Sequence, residues 1–77
     1  MSENYKNILI IGINGGLAQI TAKILINKYP HLKIIGIDNR PIDKIDPIDN
    51  CEFRQIRYTR NEFERLFRSI KFDSVFH

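Results

Sequence analysis

The stretch ILIIGINGGLAQITAKIL, residues 8–25, carries the first decision about this chain. An unbroken run of Ile and Leu meets a cluster of glycines and then gives way to a pattern with helical spacing. A strand that is apolar at every position must be covered on both faces, which is the situation inside a parallel sheet. Asn7 to Gly12 reads as such a strand. From Leu17 onward, Leu17, Ile20, Thr21, Ile24 and Leu25 recur at the period of a helix and mark its apolar face. Pro30 ends that helix near Lys28 and Tyr29, because proline restricts the residue before it and donates no backbone hydrogen bond.

Working outward, LKIIGID (residues 32–38) is a second short apolar run with an acidic end. NRPIDKIDPIDN (39–50) holds Pro41 and Pro47 and reads as a loop without periodicity, in which the doubled PID is too short to signify a repeat. CEFRQIRY (51–58) alternates weakly and is expected to be a third strand. TRNEFERLFRSIKF (59–72) sets Phe63, Leu66, Phe67 and Ile70 on one helical face, with a capping box from Thr59 and Glu62 or from Asn61 and Glu64. DSVFH (73–77) has the look of a fourth strand. The order β-α-β-β-α-β predicts an α/β fold, a parallel sheet of three to four strands with flanking helices and right-handed crossovers. With its fourth strand at the chain end, such a sheet leaves an apolar edge exposed, which invites self-association or disorder.

Composition sets the outer limits. Seventy-seven residues make one small domain, and 43% hydrophobic with 27% charged residues is a globular balance. No apolar run reaches the roughly 18 residues of a membrane span. The polar start, MSENYKN, does not resemble a secretory signal, so a cytoplasmic location is expected. Cys51 is alone and cannot form an internal disulfide. The net charge is +3, and most of the excess sits in the last third of the chain, with Arg54, Arg57, Arg60, Arg65, Arg68 and Lys71. They are interleaved with Glu52, Glu62 and Glu64 and lack aromatic platforms, so a solvated helix face is favoured over a nucleic-acid surface.

The turn after the first strand is Gly12-x-x-Gly15-x-x-Ala18. It is not the strict G-x-G-x-x-G dinucleotide signature, and its position carries more weight than its spelling. Gly12 allows a sharp turn at the strand end. Gly15 and Gly16 let a pyrophosphate approach the main-chain N–H groups, and Ala18 is small enough for close helix–strand packing. The helix that follows offers unpaired N–H groups and a favourable dipole to an anion. Asp38 ends the next strand, twenty positions after Ala18, where a carboxylate can accept hydrogen bonds from an adenosine ribose. Its charge disfavours the additional phosphate of NADP and points to NAD, whereas Arg40 argues the other way. Read purely structurally, the glycines serve a bend and Asp38 merely ends a strand.

These residues resemble the extended short-chain dehydrogenase/reductase family, the NAD-dependent epimerases and dehydratases that act on nucleotide sugars. The similarity runs over nearly the whole chain. ILIIGINGGLAQITAKIL is similar to the family's first strand, T-G-x-x-G-x-x-G turn and first helix. IIGIDNR is similar to its second strand and ribose-binding acid, and FDSVFH to its fourth strand. The resemblance implies the N-terminal part of a Rossmann-type NAD-binding domain over residues 1–77. It implies that Gly12, Gly15, Gly16 and Leu17, with Asn14 in the same turn, line the pyrophosphate, and that Asp38, Asn39 and Arg40 surround the ribose. Three positions depart from the pattern: Ile11 replaces threonine, Ala18 replaces the last glycine, and Arg57 stands where an aspartate usually faces the adenine. Arg57 or Tyr58 would then stack on the ring instead.

The spacing of the family's proton-transfer pair, a tyrosine with a lysine four residues later, occurs only at Tyr29 and Lys33, between the first helix and the second strand, whereas the resemblance implies a pair well after the fourth strand. The 77 residues alone are therefore expected to be inactive, and a nucleotide sugar is a partner only if a C-terminal region exists. A regulatory module that senses NAD and an interaction domain that binds no nucleotide are the two rival functions. Asp43, Asp46 and Asp49 lack the glycine and glutamate of a calcium loop and read as a solvated loop. No metal site is expected, and no role is assigned to His31 or His77.

Overall fold

The computed structural model describes residues 5–77; most of the polar start thus lies outside the described residues. The elements are β1 (Lys6–Ile11), α1 (Gly16–Lys28), β2 (Leu32–Asp38), β3 (Cys51–Gln55), α2 (Arg60–Ser69) and β4 (Ser74–Phe76). The four strands form one sheet in the order β3-β2-β1-β4, and every pairing is parallel. The expected α/β architecture is what the chain forms. Because β1 lies between β2 and β4, the strand order reverses there, and its carboxyl end is the switch point at which open α/β sheets hold ligands.

Alternation along the strands divides the core into two layers. Ile8 and Ile10 of β1 and Ile34 of β2 pack toward α1, with Ala18, Ala22, Leu25 and Ile26. Leu9, Ile35 and Ile37 pack on the other face with Leu66, Phe63 and Ile70 of the α2 segment and with Phe72. Both central strands are therefore covered on each side, as their unbroken apolar runs require.

Three sequence expectations change in detail. The inward face of α1 is Ala18, Ala22, Leu25 and Ile26, whereas Leu17, Ile20 and Ile24 are 79%, 54% and 58% exposed. The helix is apolar on two sides, so periodicity alone selects the wrong one; the small residues permit the close approach to the sheet. The third strand stops at Gln55 because its partner β2 ends opposite, at Asp38, leaving Arg57 and Tyr58 in the connection to α2. The loop 39–50 does have a period. Ile42, Ile45 and Ile48, each followed by aspartate, all pack against the α1-side core.

Of the two capping pairs, Thr59 and Glu62 form the cap: the Thr59 hydroxyl accepts from the Glu62 N–H at 3.3 Å. The Phe63, Leu66, Phe67 and Ile70 stripe buries Leu66, while Phe67 remains half-exposed against the rings of Phe63 and Phe72. At the sheet edge, Val75 and Phe76 of β4 are likewise half-exposed. No helix among the described residues is long and apolar enough to cross a membrane.

Candidate functional site

The glycine turn is built from the core outward. Gly12 has φ +87°, a conformation that side chains rarely adopt. The N–H groups of Gly12 and Ile13 both donate to the Ile37 carbonyl, at 2.8 and 3.0 Å, which fastens the turn to the end of β2. The Ile13 side chain is fully buried and lies over Gly36, where an added Cβ would come within 2.6 Å of its Cγ1. Asn14 braces the turn on three sides. Its N–H donates to Asp38 Oδ2 at 2.9 Å, its side-chain amide donates to the Pro41 carbonyl, and its own carbonyl accepts from Gln19 Nε2 at 3.1 Å.

Gly15 then caps α1 without a side chain, and no acidic residue stands in the first turn. The N–H groups of Gly16, Leu17 and Ala18 have no acceptor within the helix, as geometry requires of a first turn. A Cβ on Gly16 would meet nothing within 4 Å. The chain's own packing therefore does not call for glycine at that position, whereas close approach of a ligand to the backbone does. The residues present fit a pyrophosphate at this helix end.

Asp38, at the carboxyl end of β2, is 1% exposed. Its Oδ1 accepts from the Arg40 N–H at 2.8 Å and from Arg40 Nε at 3.0 Å. Its Oδ2 accepts from the Asn14 N–H and, at 3.0 Å, from an Arg40 terminal nitrogen. The Arg40 guanidinium foremost, then the two backbone N–H groups, outweigh burial and hold this carboxyl at about 2. A carboxyl whose pKa falls on folding from the usual ~3.9 stabilises the native state above that value, and the contribution is lost as the pH drops toward 2. Acid titration of thermal stability should therefore show wild type losing about 1–2 kcal/mol more than Asp38→Asn between pH 5 and pH 2, after allowance for the solvent around Arg40. Parallel acid profiles for the two proteins would contradict it.

Tyr58 joins this group from the β3–α2 connection. Its hydroxyl feels the charges of Asp38 and Arg40; burial foremost, with the Asp38 charge, raises its pKa. Gly12, Asn14, Asp38, Asn39, Arg40 and Tyr58 thus come together at the ends of β1 and β2. Arg57 precedes Tyr58 in the same connection; it is exposed, and its carbonyl accepts from the Thr59 N–H. Leu17 lies on the other side of the turn, in an apolar groove of about 320 Å³ with Gly12, Gly15, Thr21, Phe76 and His77. A second hollow of about 530 Å³ is bounded by Asn14, Arg40, Pro41, Asp43 and Lys44. The grooves flank the glycine turn on the β4 side and on the loop side.

Sequence reasoning missed Ile13 and Gly36 as the pair that seats the turn, and Gln19 as its brace. The available signal was a lone glycine inside an apolar strand, which often marks a close approach. Among the described residues no three His, Cys, Asp or Glu side chains gather as metal ligands, so the aspartates of the loop do not form a cluster. Burial, followed by the Asp49 charge, pushes the Cys51 thiol up to about 11, leaving it protonated and unreactive at neutral pH.

No protein-family model matches the chain, and no curated protein matches its sequence. Among solved structures, a dTDP-glucose 4,6-dehydratase from Bacillus anthracis in complex with NAD superposes with a TM-score of 0.73 at 19% sequence identity. The match covers 91% of this chain and 25% of the dehydratase, so the chain spans about a quarter of that enzyme's length. At this identity the likeness establishes the fold: a small parallel α/β sheet similar to the Rossmann-type portion of a dehydratase.

Proposed function

We propose that the chain binds NAD(H) as the N-terminal cofactor-binding segment of an oxidoreductase similar to the nucleotide-sugar epimerases and dehydratases. The observation that carries this reading is the hydrogen bond from the Asn14 N–H to Asp38, which joins the glycine turn and the end of β2 into one unit. A dinucleotide needs both at once: N–H groups for the pyrophosphate and a carboxylate for the adenosine ribose. The fold likeness to an NAD-complexed dehydratase supports the same choice of ligand.

In this reading Gly15, Gly16 and Leu17 receive the pyrophosphate at the start of α1, while Gly12 keeps the turn open. Asp38 receives the ribose hydroxyls, and Asn39 with Tyr58 borders the adenine. Asn14 acts as a brace, its amide being engaged with Pro41. The bound nicotinamide would supply hydride transfer; the residues of this chain bind and orient it. The tyrosine and lysine for proton transfer and the surface for a nucleotide sugar would belong to sequence beyond residue 77. NAD is favoured over NADP because Asp38 is ionised throughout the neutral range. Calorimetric titration of the chain should give saturable NAD binding that is weaker for NADP; no heat at millimolar NAD would contradict the proposal.

A further inference from the structure

Asp38 offers two carboxylate oxygens with two acceptor positions each, and all four are filled. Two of the donors, the N–H groups of Asn14 and Arg40, belong to the backbone and stay with the fold. The other two are Arg40 Nε and a terminal nitrogen of the same guanidinium, which place one hydrogen bond on each oxygen at 3.0 Å. The Arg40 side chain is 58% exposed, so it can leave for solvent without disturbing the core, whereas Asp38 beneath it is 1% exposed. A ribose presents two neighbouring hydroxyls, again one donor for each oxygen. The guanidinium fork therefore occupies the same two acceptor positions that a vicinal diol requires.

We infer that Arg40 is a displaceable cover on the ribose subsite: its fork stands in for the diol on Asp38 and must open before an adenosine ribose can bind. The inference rests on the cofactor reading above and adds a specificity element to it. Once released, the guanidinium remains beside the ribose edge, where it is the one group of this constellation able to offset the repulsion between Asp38 and a 2′-phosphate. The same side chain thus opposes NAD and tolerates NADP. It lowers affinity for the first while narrowing the preference between them.

Calorimetric titrations of the full chain with NAD and with NADP, on wild type, Arg40→Ala and Arg40→Gln, separate these roles. Both variants remove the charged fork, and the glutamine keeps a side chain of comparable reach over Asp38. Each should bind NAD roughly tenfold more tightly than wild type, because the two hydrogen bonds of the solvent-exposed fork are no longer broken on binding. Each should bind NADP more weakly than wild type, so the NAD-to-NADP ratio widens by more than the NAD gain alone. NAD affinity that is unchanged or weakened in both variants, with wild type still binding, overturns the cover and leaves the cofactor reading in place. Absence of binding by all three proteins overturns that reading and this inference with it.

Discussion

Asp38→Ala is expected to weaken NAD binding by roughly tenfold: the loss of two hydrogen bonds to a charged acceptor, at about 1.5–3 kcal/mol each, is partly offset because no Arg40 fork has to be opened. The same change removes the acceptor for the Asn14 N–H, which is part-buried and holds the glycine turn against β2. Leaving that donor without a partner should cost about 1–3 kcal/mol of stability. Arg40 is simultaneously freed from its fork, and no carboxylate remains to repel a 2′-phosphate. The variant should therefore bind NADP better than NAD, a reversal that general damage to the fold would not produce. Titration with both dinucleotides, beside a thermal melt, checks all three effects. Equal losses for NAD and NADP would argue that Asp38 serves the turn alone.

Gly36→Ala should have the other large effect, although Gly36 is remote from any expected ligand contact. Its new Cβ would stand 2.6 Å from Ile13 Cγ1 and 2.9 Å from Ile13 Cβ. Ile13 is fully buried and follows Gly12 directly, so its displacement must move either the core or the turn. Overpacking of this kind costs about 1–3 kcal/mol. For a domain of this size each kcal/mol lowers the melting temperature by about 4–8 °C. Truncation of the opposing side chain provides the control. Ile13→Ala alone should cost about 2–5 kcal/mol, but combined with Gly36→Ala the loss should be smaller than the sum, because the added methyl fills space the isoleucine vacates. Strict additivity would show that the two residues do not share the contact. NAD affinity should fall in Gly36→Ala and recover in part in the double variant.

The fold was legible where local signals agreed. The unbroken run before Gly12, the helix stop at Pro30, the acidic end of the second run and the Thr59 cap each carry a short-range physical reason, and each is where the structure has it. The site was legible as a set of neighbours: a turn after the first strand and an acid after the second must meet when the strands are adjacent and parallel. What could not be read was how those neighbours engage one another. Asp38 and Arg40 seem opposed as signs of NAD or NADP when taken singly, yet they form one ion pair. Asn14 sits within the pyrophosphate turn, yet its polar groups face inward to Asp38, Pro41 and Gln19. The inward face of α1 was hidden because apolar residues surround that helix, and only the sheet's demand for small residues selects Ala18 and Ala22. The triplet spacing of Ile42, Ile45 and Ile48 belongs to neither helix nor strand, so it had no template to match.

The measurement closest to the central claim is an amide-resolved NMR titration of the chain with NAD. The largest shifts should fall on Gly12, Gly15, Gly16 and Leu17 and on Asn39 and Arg40, with the α2 face of the sheet unmoved. A silent spectrum at millimolar NAD, or shifts confined to β4 and the outer side of α1, would contradict it.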